Sequence, residues 1–490
     1  MFRKKRFLIL IIWIVLFSPC VFAQEDISTR TVSLQEITDL ALQNNFDIQL
    51  TKYDILISRF NVDIAESIYD TMLDAEASYS DDQSANNSTL LSDRTTTKEI
   101  KAGLSKIFPT GTEVSLDQTV QRVWSKDGFV TLNPAYDSTT ALTVEQDLGR
   151  DFFGRQSRAS VKIAVKDVQN TDLLSLLEIE TTLAEVQKNY WNLVYLYEAL
   201  TIRREILEQA KRLYDLDQER VQHGLVEVPQ LFGSQANYQT RQAEMVLAQS
   251  ALNTGMNLLK LSVNIEEDPV IITPADKTFQ MPEHQVSLLD SMKKALEHRR
   301  DYLQALNEIE RRDLLLEFAR NNEWPEINLS GSFALNGIGS DFNDSINRIS
   351  DENNPEFFAS LAFSLPLENT EARAGKKQAE LQKASALLNV KYLERKIAVQ
   401  IKNQVTTTDA AFERLRYLRE AAELQQKKAL EQERIFRQGR SDSDTVIRFQ
   451  EDALLARISV IRAFYDYYSA LVELKRLEGT LLERYWDGEI

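Results

Sequence analysis

The sequence predicts an α+β fold: long antiparallel helices with strands set between them that suit either a membrane β-barrel or an ordinary half-buried sheet, the whole pattern built twice. Three observations carry this. The chain is similar to itself at a fixed offset, two helical runs are unusually long, and the segments between helices alternate in polarity while being only weakly apolar. Beyond residue 23 no stretch of the 490 residues approaches a membrane-spanning helix. Any bilayer the chain enters must therefore be entered by strands, because lipid tolerates only helices and closed barrels.

The self-similarity sets the frame. Ser33–Tyr79 aligns without gaps on Ser287–Phe333 at an offset of 254. SLQEITDLALQNNFDI (33–48) lies over SLLDSMKKALEHRRDY (287–302), so that Ala41 meets Ala295, Leu42 meets Leu296 and Asp47 meets Asp301. Two repeats are expected, 31–265 and 287–484, forming a pseudo-twofold protomer. Between them 266–286, with Pro269, Pro274 and Pro282, reads as a linker.

Each repeat has one order: helix, strands, long helix, tight break, helix. In the first, Ser33 to about Tyr69 is helical, Met72–Ser80 alternates as a strand, and Asp81–Asp93 with Asn86-Asn87-Ser88-Thr89 is a polar loop. Lys98–Ile107, Thr112–Trp124 and Ser138–Leu148 read as further strands, with Pro109-Thr110-Gly111 turning the first two. From Arg155 to Gln222 runs a helix about 100 Å long at 1.5 Å per residue. Gly224 suits its C-terminal cap and Pro229 the first turn of the next helix. The second repeat places strands at Glu326–Asn336 and Phe357–Leu367 around a polar loop, a helix from Glu371 to Gln438, a break at Gly439 and a last helix to about Arg484. Leu176, Ile179, Leu183, Val186, Tyr190, Leu193, Tyr197 and Leu200 step by three and four, a 3.5-residue repeat that implies left-handed packing against another helix. Leu454, Ile458, Ile461, Tyr465, Tyr468 and Val472 do the same.

Met1–Ala23 reads as a secretory signal. Arg3, Lys4, Lys5 and Arg6 form its basic region, Phe7–Phe17 its apolar run, and Val21-Phe22-Ala23 its cleavage site. Cys20 lies in this leader, with Pro19 arguing against lipidation, and is the chain's one cysteine. Disulfides, thiolate-zinc sites and a thiol nucleophile are thereby excluded from the mature chain. Histidine is confined to His223, His284 and His298. No catalytic set, metal cluster or cofactor loop is visible, and the 74 acids pair along helices as chance would place them. A net charge of −17 leaves no footing on a phosphate backbone, so nucleic acid is not an expected partner.

The chain resembles the TolC-like outer-membrane efflux proteins, or outer-membrane factors, over about Leu34 to Leu482. The resemblance rests on an ordered set. First come the duplicated helix ends IAESIYDTMLDAEASY (64–79) and FARNNEWPEINLSGSF (318–333). Next are the strand-to-helix corners LTVEQDLGRDFFGRQSRA (142–159) and LAFSLPLENTEARAGKKQA (361–379). Last are the tips RVQHGLVEVPQLFGSQANY (220–238) and IFRQGRSDSDTVIRFQEDAL (435–454). It implies a homotrimer in which each copy gives four strands to one shared twelve-stranded transmembrane β-barrel, while the long helices form a trimeric helical barrel across the periplasm. It implies an outer-membrane exit duct without chemistry of its own, fed by a periplasmic adaptor and an inner-membrane pump of RND or ABC type. Two strand pairs cannot close a ring alone, which favours pooling strands among copies.

By the same resemblance the tips His223-Gly224-Leu225 and Gln438-Gly439-Arg440-Ser441 face the adaptor. Each glycine also suits a helix C-cap, and the two roles can hold together. Related proteins ring their closed mouth with acids whose usual spacings land here on Thr445 and Arg448, a departure. Asp442 and Asp444 are nearby substitutes, as is Glu227 beside the neutral Gln230, although Asp442 or Asp444 would also serve as an N-cap. The stretch from Thr97 to Asp147 is a second departure: its extra strands either widen the barrel or form a hairpin at one rim. The rival reading is a periplasmic coiled-coil adaptor, which would carry one helical hairpin where this chain has two. Six methionines and no methionine cluster give no sign of a soft-metal relay.

Overall fold

The computed structural model describes residues 29–85, 92–126, 130–265, 271–276, 281–351 and 354–483. The leader with Cys20, the Asn86-Asn87-Ser88-Thr89 stretch and Pro269 lie outside the described residues.

In chain order the first repeat gives β1 (Thr29–Val32), α1 (Leu34–Asn44), α2 (Phe46–Glu66), β2 (Thr71–Asp82), β3 (Arg94–Ile107), β4 (Thr112–Lys126), β5 (Ala135–Asp147), α3 (Arg155–Gln222) and α4 (Val228–Ser262). Then come β6 (Ile271–Pro274), α5 (Leu288–His298), α6 (Arg300–Asn321), β7 (Glu326–Gly339), α7 (Phe342–Asp351), β8 (Asn354–Ser364), α8 (Thr370–Arg437) and α9 (Ser443–Glu478). The long helical elements of the two parts match in length. The rods α3 and α8 have 68 residues each, and their return helices α4 and α9 have 35 and 36.

The opening helix of each repeat is not continuous, as the sequence suggested, but broken. Asn45 leaves helical geometry at ψ 128°, its side chain caps α2 by accepting from Ile48 N at 3.0 Å, and its amide donates to Ser262 O at 2.7 Å. Arg299, at the matching position of the second repeat, makes the same break at ψ 119°. At Asn45 a side chain that binds its own backbone competes with the helix it interrupts, which apolar periodicity does not register; Arg299 makes no cap bond, and its Nε donates to Asp301 Oδ1 at 2.8 Å instead.

Two sheets form. β1 and β6 pair in parallel, so the presumed linker contributes a strand to the core rather than a loose tether. Tyr190 locks this junction, its hydroxyl donating to Asp276 Oδ2 at 2.5 Å and lying 3.2 Å from Val32 O. Around it lies the largest apolar core, in which Ile37, Ile48, Leu183, Tyr190, Leu193, Leu259 and Ile272 are buried. The second sheet is an antiparallel meander in the order β2-β3-β4-β5-β7-β8. The three additional segments expected between Lys98 and Leu148 are strands of this sheet. It holds six strands, where the resemblance implies four. The loop expected between β7 and β8 contains α7, started by Asp341, which accepts from Asp344 N at 2.9 Å.

The helices run away from one end of this sheet. α3 packs along α2 and α6 near the sheet and along α4 and α9 beyond, while α8 packs on α6 and then on α9. Of the seam read in α3, Ile179, Leu183, Val186, Tyr190, Leu193 and Leu200 are buried, and Tyr197 is exposed. Leu454 and Ile461 of the α9 seam meet Ile202 and Ile206 of α3.

Candidate functional site

Alternation along the six strands sorts the sheet into two faces of opposite character. On one, registered neighbours form a row across every strand: Leu73, Leu104, Leu116, Leu142, Phe333 and Phe357. All six of these side chains are exposed. The row through Ala77 continues in Ile100 and Val120, and β8 adds Leu361 and Phe363 on the same face. At the end far from the helices this face carries Tyr79, Tyr136 and Trp124, with Arg122 over the Tyr136 ring at 5.9 Å. An exposed apolar band edged by aromatic rings is what a lipid-facing strand surface requires.

The opposite face is polar and acidic. Asp74, Asp117 and Glu356 lie on one cross-strand row, and Glu76, Lys101, Thr119, Thr139 and Asn336 lie on the next. Glu99 and Glu145 share this face. Lys101, its one basic side chain among the described residues, lies 3.6 Å from Asp117. This polarity suits a wall with lipid on one side and acid-lined water on the other. No described helix is long and apolar enough to cross a membrane.

The sheet is anchored to the rods at two corners, and both need left-handed backbone. At the first, Phe153 has φ 49° and Gly154 φ 69°, and Gly154 meets Gly111 of the β3–β4 turn, itself at φ 70°. A Cβ on Gly111 would come within 2.4 Å of Gly154 N, and one on Gly154 within 2.6 Å of Gly111 N. Arg158 clamps the contact by donating to Pro109 O at 2.6 Å and Phe153 O at 2.5 Å. At the second corner Asn369, at φ 42°, turns into α8 and donates to Glu323 O at 3.1 Å.

The two helical tips lie side by side at the far end. In the first, His223 is the C-cap of α3 and Gly224 takes φ 68°, with Gly224 N donating to Val221 O and Leu225 N to Arg220 O. Leu225 is 73% exposed. In the second, Gln438 caps α8, Gly439 takes φ 74°, and Arg440 N donates to Ile435 O. Ser441 bonds Gln432. Both glycines thus close helices in the αL manner. Neither has another heavy atom within 4 Å of where a Cβ would sit, so both tips are open surface.

The acids at the tips do different things. Asp442 is the N-cap of α9: it accepts from Thr445 N at 2.7 Å and from the Thr445 hydroxyl at 3.0 Å. Those two bonds hold its carboxyl below the usual range. Asp444 is exposed and sits over Gly233 of α4, with Oδ1 3.1 Å from where a Cβ would lie. Glu227 precedes α4 without capping it, and Gln230 N donates to Glu227 O. Thr445 is taken up by the cap, and Arg448 is exposed. Asp217 on α3 receives the Ser443 hydroxyl at 2.8 Å in a buried contact that joins the two tips.

Sequence reasoning missed one surface. On α2, Phe46, Leu50, Tyr53, Ile57, Phe60 and Ile64 form a stripe whose members are between 54% and 67% exposed. The signal was present, since their spacing is the 4-3-4-3-4 of a packing seam. α2 uses its other side, Ile48, Thr51, Ile55 and Ser58, against the protein.

A family model described as outer membrane efflux protein matches residues 37–264 and 292–480. Solved structures share the fold. The Campylobacter jejuni CmeC outer membrane channel superposes with a TM-score of 0.67 at 16% identity, covering 93% of this chain and 87% of that one. The Vibrio cholerae outer membrane protein VceC gives 0.65 at 16% identity, over 91% and 96%. The open state of the Neisseria gonorrhoeae MtrE outer membrane channel gives 0.67 at 16% identity, over 91% and 89%. No curated protein matches the sequence.

Proposed function

The chain belongs to the outer membrane efflux protein family, and we propose that it is the outer-membrane exit duct of a tripartite efflux or type I secretion system. In this reading it works as a homotrimer. The six-stranded sheets stand in the outer membrane and share one barrel, and the rods, about 100 Å long, form a helical barrel through the periplasm. The repeats 31–265 and 287–484 are the two halves of each protomer, joined through 266–286. An RND or ABC pump of the inner membrane, through an adaptor, delivers the cargo, and the duct conducts it without catalysis or a cofactor.

The observation that carries this reading is the two-faced sheet: an apolar row crosses all six strands while acids line the other side. Such a sheet has no stable place in water, and its edges β2 and β8 have no place in lipid unless they meet further copies. The exposed α2 stripe supports the same assembly, since a seam of this spacing calls for a partner helix.

The tips take the adaptor through His223, Gly224 and Leu225 on one side and Gln438, Gly439, Arg440 and Ser441 on the other. Asp444 and Glu227 are the free acids for a ring at the mouth. Asp442 is committed to its helix, and Gln230 brings no charge. The test is purification in mild detergent followed by mass measurement and planar-bilayer recording. A trimer with discrete cation-preferring conductance is expected, and a monodisperse folded monomer without conductance overturns the reading. Asp444→Asn with Glu227→Gln should lower the cation preference; an unchanged selectivity removes them from the mouth.

A further inference from the structure

Building on the trimeric duct, we propose that three copies close a barrel of eighteen strands, not twelve, with β2 of each copy pairing to β8 of the next. Strands β3 and β4 make the difference, and four features place them in the wall itself.

First, they lie inside the sheet. β3 pairs with β2 and β4 with β5 along nearly their whole lengths, so removing the hairpin would break both ladders and leave β2 and β5 to find each other anew. Second, they carry the outer face without interruption. Leu104 and Leu116 fill the two places between Leu73 and Leu142 in the apolar row, and Ile100 and Val120 follow Ala77 in another. A hairpin folded away at a rim would take these side chains out of the lipid band. Third, they carry the inner face, where Glu99, Lys101, Asp117 and Thr119 continue the polar side. Fourth, their turn is built into the base of the wall. Gly111 and Gly154 approach so closely that neither tolerates a Cβ, and Arg158 on α3 holds Pro109 O.

The edges fit the same closure. β2 presents Leu73, Ala75 and Ala77, and β8 presents Phe357, Ala359 and Leu361, on the lipid side. Joining edge to edge therefore continues one apolar band around the ring. Symmetry makes the contact heterologous and closing, which consumes every edge. Barrels of sixteen to eighteen strands leave an open aqueous lumen.

The test uses the full-length protein in lipid nanodiscs. A cryo-EM reconstruction should count eighteen strands, with β3 and β4 between β2 and β5 in each copy. In parallel, the Ala75→Cys/Ala359→Cys variant should give covalent trimers with a short bismaleimide. The Leu73→Cys/Leu142→Cys pair should stay reduced under oxidation, because three strand spacings hold those positions about 14 Å apart. A trimeric pore of twelve strands, with β2 against β5 and a disulfide between positions 73 and 142, overturns the wider barrel and leaves the duct standing. A chain that neither trimerises nor forms a pore overturns both.

Discussion

The helices α2 and α6 descend from one pattern and meet opposite fates. At the offset of 254, Phe46, Leu50, Tyr53, Ile57, Phe60 and Ile64 correspond to Arg300, Gln304, Asn307, Arg311, Leu314 and Phe318. On α2 this stripe is apolar and exposed. On α6 it is largely polar, part-buried and spent within the chain: Asn307 Nδ2 donates to Lys166 O at 3.2 Å and to Asn170 Oδ1 at 2.8 Å, and Arg311 pairs with Asp167. Duplication thus kept the helix and changed what its face is for. One copy packs within the chain, and the other stays exposed, free for the neighbour that the proposed trimer would bring.

The sharpest way to break this comparison is to charge the apolar stripe. Ile57→Glu with Phe60→Glu should abolish the trimer in detergent, since each side chain is worth about 2 kcal/mol of burial at every interface. Arg311→Met should leave the trimer intact and cost only local stability. A trimer that survives the double substitution, measured by light scattering, would remove α2 from the interface.

The corners differ in the same way and rank next. Gly154→Ala combines a left-handed φ with a collision against Gly111 backbone. It should destabilise by at least about 1–3 kcal/mol from strain alone. Asn369→Gly, at the second corner, relieves the left-handed strain while giving up the side-chain bond to Glu323 O, two opposing effects that should leave the melting temperature little changed. Equal losses at both sites would refute the distinction.

The rods sharpen the comparison through pH. Glu180 of α3 is fully buried, and burial pushes its carboxyl up to about 7 against the pull of the Arg300 and Arg476 guanidinium groups. Counting from the start of each rod, its counterpart is Arg395 of α8, which is exposed. Because the folded value lies above the ordinary 4.5, the folded chain holds a proton that the unfolded chain releases. Stability therefore falls as pH rises from about 4.5 to about 7, and the penalty is complete above that window. Glu180→Gln should raise stability by about 1–3 kcal/mol at pH 8 and by nearly nothing at pH 4.5. Melting curves at the two pH values check it; an equal shift at both would refute the buried charge.

The smallest effect separates the tips. Asp442→Ala removes the cap of α9 and should cost about 1 kcal/mol. Glu227→Ala removes no cap and should be neutral in the same thermal assay. A Glu227 loss as large as that of Asp442 would show a bond at the first tip that the geometry lacks.

Much of this was legible beforehand. The offset repeat, the rods, the breaks at Gly224 and Gly439 and the strands from Met72 to Leu367 follow from periodicity and from residues with few conformational choices. The interruptions at Asn45 and Arg299 were not, because each depends on what a polar side chain finds to bond. β1 and β6 were hidden for a similar reason: four residues carry no period, and their pairing joins segments more than two hundred residues apart. At the second tip, the resemblance offered Asp442 and Asp444 together as substitutes near Thr445 and Arg448, and only the position of Thr445 N committed one of them to its helix.

What the sequence determined by itself is two helical rods of equal length, alternating strands that suit a membrane wall or a half-buried sheet, and a chain with one cysteine, in its leader, and three scattered histidines. These are local properties, written in spacing and composition. What only the tertiary structure decided is how the strands are ordered and which faces are left over. That β3 and β4 sit between β2 and β5, carrying one apolar row across six strands, is a matter of long-range hydrogen-bond register, and alternation within a strand is the same whichever neighbour it takes.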